Sequence, residues 1–279
     1  FISSTSSIVH LGAKPVFVDV ANDQNIDPDF IEKKITKKTK AIMPVHLTGR
    51  ICDMKKIMKI SKKYNIPVIE DAAQSIGSKY YNKKAGSIGD IGCFSTHPLK
   101  NLNACGDGGF LTTNKKQFYL LAKSLQNNGM FGRNEVKNFG YLSRMDVLQA
   151  SILSYRLSKL DTVIKKRRSN FQLYKRLLNR EKIFFPDEKK YQFNSYHTFV
   201  IQVNRRNELI RYLKNKGIQT AIHYPIPIHK QTAYINKYGL EKYKNTESQS
   251  KRILTLPINQ YLTKKEIIYI SKTINSFYK

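Results

Sequence analysis

The sequence contains no tryptophan and only three cysteines, and its acidic residues are far fewer than its basic ones. Cys52, Cys93 and Cys105 have no spacing typical of a metal site and cannot form an even set of disulfides, so we predict no metal and a reducing, cytoplasmic location. No apolar run approaches the ~20 residues of a membrane span. The first residues also lack the basic region before an apolar one that marks a signal peptide. We therefore predict no membrane partner.

The chain carries 49 basic and 20 acidic residues, and a net charge of +29 suggests a nucleic-acid-binding protein. The lysines, however, are spread along the whole chain, and the densest basic run, residues 165–168, lies inside a predicted helix. No helix-turn-helix, zinc spacing or aromatic RNA-binding motif accompanies it. We predict no specific nucleic-acid partner, because a solvated surface or attraction of an anionic small substrate accounts for the charge equally well.

In the first half of the chain, short apolar runs alternate with amphipathic segments. The spacing predicts strands at 15–19, 41–45, 67–70, 91–95 and 110–113, and helices at 3–10, 29–35, 53–64 and 115–127. Strands alternating with helices indicate an α/β fold with a mostly parallel, doubly wound sheet.

The second half contains fewer strands. A long helical stretch is predicted from about residue 146 to 180, followed by a strand at 196–203, a helix after Asn207 and an extended, proline-stiffened loop at 221–229. Thr263 and Glu266 form a capping box that begins the last helix. Because a long helix commonly bridges two domains, we predict a large domain over residues 1–160 and a smaller α+β domain over 161–279.

Residues 68–109 hold most of the reactive side chains. Asp71 follows one predicted strand, Ser95 ends the next, and Lys100 lies in the loop beyond it. Pyridoxal phosphate needs a Schiff-base lysine, a carboxylate for its ring nitrogen and phosphate donors, and Gln74 could contact the ring oxygen. The same residues could also be an exposed loop lysine, a helix cap and a strand-end hydroxyl, and spacing alone does not decide between these interpretations.

Several ordered motifs together are similar to the DegT/StrS-type family of pyridoxal-phosphate-dependent sugar aminotransferases. Each is weak alone, but their common order and spacing over essentially the whole chain are specific. The matching segments are residues 12–19, 70–74, 86–90, 94–101, 106–109, 143–146, 223–229 and 256–258. The resemblance implies a type I (aspartate-aminotransferase) fold and pyridoxal 5'-phosphate as cofactor.

The resemblance also implies roles for individual residues. Lys100 would form the Schiff base and move the proton during transamination, and Asp71 would keep the pyridine nitrogen protonated. Gln74 would contact the ring oxygen, Ser95 would bind the phosphate, and Phe1 would stack on the ring. Sugar dehydratases that resemble this family carry histidine where this chain has Lys100, so the lysine indicates transamination.

The loop at 221–229 resembles the family's sugar-binding side. His223, Tyr224 and His229 would contact the substrate there, although a packed proline-rich turn would explain the same residues.

Three features depart from the family pattern. The family usually begins several dozen residues earlier, with a Gly-Thr phosphate-binding turn, so Phe1 suggests that the N-terminal part is missing. Leu142 stands where many members have asparagine. Gln126 and Asn128 replace what is often Arg and His.

The predicted function is transfer of an amino group, with L-glutamate as the expected donor, to a nucleotide-linked keto-sugar. Such an amino sugar would serve cell-surface polysaccharide or glycan biosynthesis, and a homodimer is expected because two subunits complete each site in the family. The alternative from a different class is a truncated, non-catalytic homologue that acts as a binding protein or an inert fragment.

Overall fold

A computed structural model describes all residues from 1 to 279. The helices are α1 (Ile2–His10), α2 (Met54–Tyr64), α3 (Lys116–Leu125), α4 (Val147–Leu157), α5 (Leu160–Leu177), α6 (Arg206–Asn215), α7 (Thr232–Tyr238), α8 (Lys244–Ser250) and α9 (Lys264–Phe277). The strands are β1 (Ile69–Asp71), β2 (Lys79–Tyr80), β3 (Lys83–Lys84), β4 (Ile91–Ser95), β5 (Gly109–Thr112), β6 (Ile183–Phe184), β7 (Gln192–Phe193), β8 (Phe199–Val203) and β9 (Ile253–Leu256). Short 3-10 turns occur at Pro28–Phe30, Glu32–Lys34, Leu47–Gly49 and Ile228–Lys230.

The sheet that carries the candidate site has the order β1-β4-β5. Strands β1 and β4 are parallel, with Asp71 opposite Cys93, whereas β5 runs antiparallel to β4. The segment 41–45 lies on the other side of β1 and joins it through two parallel bridges. Both parallel pairings involve β1, so this central strand delivers the residue at its carboxyl end to the middle of the sheet edge.

Two smaller antiparallel sheets complete the structure. One has the order β3-β2-β7 and pairs Lys79 with Phe193, so that residues far apart in sequence meet. The other has the order β6-β8-β9, and its buried side chains share one core cluster with those of α5, α6 and α9. Its central strand β8 is buried at every position, and its one polar residue, Gln202, donates hydrogen bonds to the Asn22 carbonyl and the Gln249 side chain.

The buried apolar side chains form three clusters. The largest contains 18 residues between Phe171 and Ile274, the second contains 11 between Ile31 and Ala85, and the third contains five between Leu102 and Ile164. The division into domains at residue 160 stays a prediction.

Several predicted helix ends are confirmed. Asp53 caps α2 by accepting a hydrogen bond from the Lys56 amide, and Asn65 closes that helix in the left-handed conformation. Thr263 and Glu266 form the complete capping box at the start of α9.

Three predicted elements are wrong. Residues 15–19 form no strand, because their surroundings provide only one bridge, between Val20 and Ile26. Residues 29–35 form two 3-10 turns rather than an α-helix. The long helix is broken after Leu157. There the Lys159 amide donates a hydrogen bond to the Arg156 carbonyl, and the Ser158 hydroxyl donates one to the Tyr155 carbonyl.

No helix of the structure has the length and apolar character needed to cross a membrane. The structure also contains no group of three or more His, Cys, Asp or Glu side chains that could hold a metal ion.

Gly49 allows a close approach between the two halves of the chain. Its φ is +86°, and an added Cβ would lie 2.7 Å from Ser195 Oγ, whereas Gly217 has φ +73° with nothing within 4 Å. Both Gly→Ala changes pay about 1 kcal/mol for a left-handed conformation. We expect Gly49→Ala to lose a further ~1–3 kcal/mol of unfolding free energy from overpacking. Denaturant unfolding of both variants tests this, and equal losses would contradict it.

Candidate active site

The site begins where two parallel strands end side by side. Asp71 is the last residue of β1, and Ser95 is the last residue of β4. The Ala72 amide bonds to the Cys93 carbonyl at 2.8 Å, so the chain leaving β1 stays beside β4. Because carboxyl ends of parallel strands share one edge of a sheet, the aspartate and the serine converge there.

Lys100 lies in the loop between β4 and β5. This loop is folded back on itself by backbone bonds from Ala104 to the Thr96 carbonyl at 2.7 Å and from Thr96 to the Gly108 carbonyl at 2.8 Å. Burial lowers the pKa of the Lys100 amine, and the negative charge of Asp71 opposes this only in part. Lys100 and Asp71 therefore face the same region, and the lysine is less basic than an exposed one.

Asp71 is held from two directions. One carboxylate oxygen accepts a hydrogen bond from the Ser4 hydroxyl at 2.5 Å, and the other accepts one from the Ala73 amide at 3.1 Å. Ser4 belongs to α1, so this bond also fixes the first helix against the sheet.

Gln74 connects the turn at 47–49 with the loop at 221–229. Its side-chain oxygen accepts a hydrogen bond from the Thr48 amide at 2.7 Å, and its nitrogen donates to the Tyr224 hydroxyl at 3.3 Å. The Tyr224 ring lies 5.4 Å from that of Phe1, centroid to centroid. The structure thus brings Phe1, Gln74 and Tyr224 together.

Ser95 lies at the same edge of the sheet. Its hydroxyl accepts a hydrogen bond from the His97 amide at 3.3 Å. The hydroxyl keeps its own hydrogen free to donate, which is what binding a phosphate oxygen requires.

The two histidines of the 221–229 loop have different surroundings. Burial, and after it the positive charge of nearby Lys100, lowers the pKa of His223. The Nδ1 atom of His223 is 2.9 Å from the Thr255 hydroxyl. His229 is buried and pairs with Glu247 of α8 at 3.1 Å. All three predicted substrate residues, together with Phe1, line an open groove with a volume of about 1290 Å³. Their roles stay predictions.

Sequence reasoning missed several residues at the site. Thr48 and Ser4 hold Gln74 and Asp71, but a threonine in a turn and a serine in a helix give no signal. His197 lies close enough to Lys100 for its charge to affect the imidazole, although the sequence placed it only in a predicted strand. Glu70 directly precedes Asp71 in the matching segment 70–74, and this position in the sequence could have indicated that it belongs to the site.

These residues fit pyridoxal phosphate. A half-buried lysine of lowered pKa, an anchored carboxylate near it and a free hydroxyl at the strand end match the aldehyde, the ring nitrogen and the phosphate. In addition, Thr96 Oγ1 is buried without a partner, and a Cβ on Gly108 would lie 2.7 Å from it. The Thr96 hydroxyl is therefore available as a donor, and the absence of a side chain at Gly108 leaves room beside it.

The model of the DegT/DnrJ/EryC1/StrS aminotransferase family matches residues 1–275. The dTDP-3-amino-3,6-dideoxy-alpha-D-galactopyranose transaminase of Aneurinibacillus thermoaerophilus is 41% identical over 278 residues, which cover 99% of this chain and 76% of that relative. A pleiotropic regulatory protein of Geobacillus stearothermophilus is 37% identical, with 100% and 76% covered. The crystal structure of S. venezuelae DesV in complex with a ketimine intermediate has a TM-score of 0.95 at 30% identity, covering 100% of this chain and 76% of that one.

Glu70, the residue before Asp71, supports the site by binding the turn at 86–89. Its carboxylate is fully buried, lies 2.9 Å from His46 Nε2 and accepts hydrogen bonds from the amides of Gly86, Ile88 and Gly89. Burial by itself raises the pKa of Glu70, but His46 and the amides together lower it below its ordinary value. The charged carboxylate thus anchors the 86–89 turn to β1.

We expect Glu70→Gln to lose about 3 kcal/mol of unfolding free energy at pH 7, because the amide cannot accept from all these donors. Since the folded pKa is lowered, the stabilisation is complete above the unfolded value near 4.5 and is lost as pH falls through the folded value. The difference between wild type and Glu70→Gln should therefore shrink in acid. Urea unfolding between pH 7 and 3 measures it, with exposed Glu181→Gln as control. A constant difference would contradict the assignment.

Proposed function

We propose that this protein is a pyridoxal-phosphate-dependent aminotransferase of nucleotide-linked keto-sugars. The chain belongs to the DegT/DnrJ/EryC1/StrS aminotransferase family, and the proposal starts from this membership. The resemblance expected from the sequence is confirmed by the family match, and the type I fold class is confirmed by the solved structure at TM-score 0.95. The observation that carries the proposal is the convergence of Lys100 and Asp71 at one edge of the sheet.

When bound, pyridoxal phosphate supplies an aldehyde for the lysine and a protonated ring that withdraws electrons. Asp71 would hold the proton on the ring nitrogen, because its carboxylate is fixed by Ser4 and the Ala73 amide. Gln74 would contact the ring oxygen, Ser95 would donate to the phosphate, and Phe1 would cover the ring. These assignments follow the family's motifs, residue by residue.

Lys100 would carry the proton between donor and acceptor carbons. A proton carrier must give and take a proton at neutral pH, and an exposed lysine is too basic to do this well. Burial lowers the pKa of Lys100 and so increases the neutral fraction of the amine. The protein thus lowers the pKa of the Lys100 amine by desolvation, and the negative charge of Asp71 limits how far this pKa falls.

The substrate side is inferred from the relatives and from the 221–229 loop. The relative from Aneurinibacillus thermoaerophilus is named for a dTDP-linked amino sugar, which supports a nucleotide-linked keto-sugar here. His223, Tyr224 and His229 line the groove beside the site and would contact the sugar. The resemblance supports L-glutamate as the donor, and the excess of positive charge would attract a diphosphate.

The alternative of a non-catalytic binding protein is not favoured, because the half-buried lysine and a nearby carboxylate are both present. The proposal includes no specific nucleic acid and no membrane partner. All three cysteines are free thiols, which supports a cytoplasmic location.

We further propose a homodimer. Large apolar side chains are exposed along the 110–157 stretch, and their concentration supports a protein-protein contact. They include Phe110, Leu111, Tyr119, Leu120, Leu121, Phe139, Tyr141, Leu142, Val147, Leu148 and Tyr155.

We expect Lys100→Ala to abolish amino transfer and the visible absorbance that the cofactor gains on joining the lysine. Exposed Lys59 of α2 provides the matched control, and Lys59→Ala should leave both unchanged. The measurement is a spectrum of the protein with pyridoxal phosphate, before and after L-glutamate and candidate nucleotide keto-sugars. Transamination retained by Lys100→Ala would refute the proposed function.

The dimer is tested by a charge placed in the apolar surface. Leu148 is 68% exposed within this stretch, and Leu240 is 76% exposed outside it. We expect Leu148→Glu to lower the sedimentation mass towards that of one chain, because burying the carboxylate is costly. Leu240→Glu should leave the mass of the dimer unchanged. A wild-type protein that sediments as one chain would refute the dimer.

A further inference from the structure

Residues 195–198 cross from the β8 side of the molecule to the candidate site. The Ser195 amide bonds to the Gly49 carbonyl at 3.0 Å, and the Thr198 amide bonds to the Thr48 carbonyl at 3.3 Å. From the lysine loop, the Asn101 side chain donates to the Ser195 carbonyl at 3.2 Å. The crossing segment, residues 195–198, is therefore bound to both the lysine loop and the turn that holds Gln74.

A buried arginine fixes the same segment from behind. Arg167 of α5 donates from Nη1 to the carbonyls of Tyr196 at 3.1 Å and His197 at 3.0 Å, and from Nε to Gln260 at 3.2 Å. These bonds set the backbone at His197 and thus the direction in which its side chain leaves.

The imidazole of His197 is neutral and incompletely bonded. Burial lowers its pKa to about 3, and the charges of Lys100, Arg167 and His223 contribute in that order. Its Nδ1 is buried and has no hydrogen-bond partner. In a neutral imidazole with the proton on Nε2, Nδ1 is an acceptor. A buried acceptor without a partner in a native structure requires an explanation.

The other groups near Lys100 are already engaged. Both oxygens of Asp71 accept hydrogen bonds, and His223 Nδ1 is bound to the Thr255 hydroxyl. Among the titratable groups that face the lysine, His197 offers the unpartnered acceptor.

We propose that His197 is a positioning residue for Lys100, whose free amine donates a hydrogen bond to the unpartnered Nδ1 of His197. The flexible four-carbon stem of lysine allows the small movement that this bond requires. The bond would hold the amine in place whenever it is not joined to the cofactor. This inference rests on the proposed role of Lys100 as the reactive amine.

The sign of the effect follows from which form is bonded. An acceptor stabilises the ammonium form more than the neutral amine and so raises the pKa of Lys100. Loss of the acceptor should lower that pKa further, because burial then acts with less opposition. A hydrogen bond to a charged group corresponds to a shift of about one pH unit.

The test compares His197→Asn with His197→Leu. Asparagine places a polar atom where Nδ1 lies, whereas leucine places a methyl group there. In the cofactor-free protein, the rate of Lys100 acetylation by acetic anhydride is followed against pH by mass spectrometry of the peptide that contains it. We expect the midpoint to fall by about one pH unit in His197→Leu and to stay near wild type in His197→Asn.

A second variant and a second readout complete the test. His197→Gln carries its polar group to the Nε2 position, so its midpoint for Lys100 acetylation should fall as in His197→Leu. The glutamine variant replaces the leucine variant in the comparison if His197→Leu does not fold. With cofactor, kcat should fall in these two variants while KM for the donor changes little. An unchanged Lys100 midpoint in leucine and glutamine variants, or an asparagine variant that matches leucine, would overturn the proposal. Lack of transamination by the wild type would instead refute the proposed function, while the acetylation result would stand.

Discussion

The close approach of the crossing segment to Thr48 and Gly49 is the constraint on which the site depends. The Thr48 carbonyl binds the crossing segment, and the Thr48 amide binds the side chain of Gln74. A turn at 47–49 thus connects the last third of the chain with Gln74 at the candidate site. Without a β-carbon at Gly49, the two backbones lie closer than any other residue would allow.

Three arginines hold the chain around this contact by donating to backbone carbonyls. Arg50 binds the carbonyls of Pro186 and Asp187, Arg167 binds those of Tyr196 and His197, and Arg168 binds that of Asn194 as well as the Glu188 carboxylate. The planar guanidinium can satisfy two acceptors at once, which a lysine cannot do in the same geometry. Part of the large positive charge is therefore structural and does not face a partner.

The basic run 165–168 shows why charge alone is a poor guide to function. In sequence it is the densest cationic stretch, yet Lys165 is exposed whereas Arg167 is buried. Successive residues of a helix point about 100° apart, so a run of like charges must include both faces. A single sequence does not tell which of the four turns inward, because that depends on the carbonyls packed against α5.

The parts of the fold that the sequence predicted are those decided locally. The caps at Asp53 and Thr263, the strand before Asp71 and the loop that carries Lys100 depend on a few neighbouring residues. Residues 15–19 have equally good strand composition, but a strand also needs a partner along its length, and the fold provides one bridge.

The same distinction applies to the candidate site. The common location of Asp71 and Lys100 was predictable because strand ends of a parallel sheet converge by geometry, whereas their roles were inferred from the family resemblance. His197 was not, because it reaches the site through a backbone contact between residues nearly 150 positions apart, from Thr48 to Thr198.

Desolvation, more than charge pairing, sets the chemistry around Lys100. The amine has one carboxylate opposite it, and burial still lowers its pKa, so the loss of water outweighs the attraction of Asp71. Burial also lowers the pKa of His223 and that of His197, and in each case the positive charge of Lys100 adds to the effect. Three neighbouring cations would repel one another, and burial together with the charge of Lys100 favours the neutral form of both histidines. A chain with a net charge of +29 thus surrounds Lys100 with neutral histidines, which agrees with the proposed pairing of Asp71 with a cationic ring nitrogen.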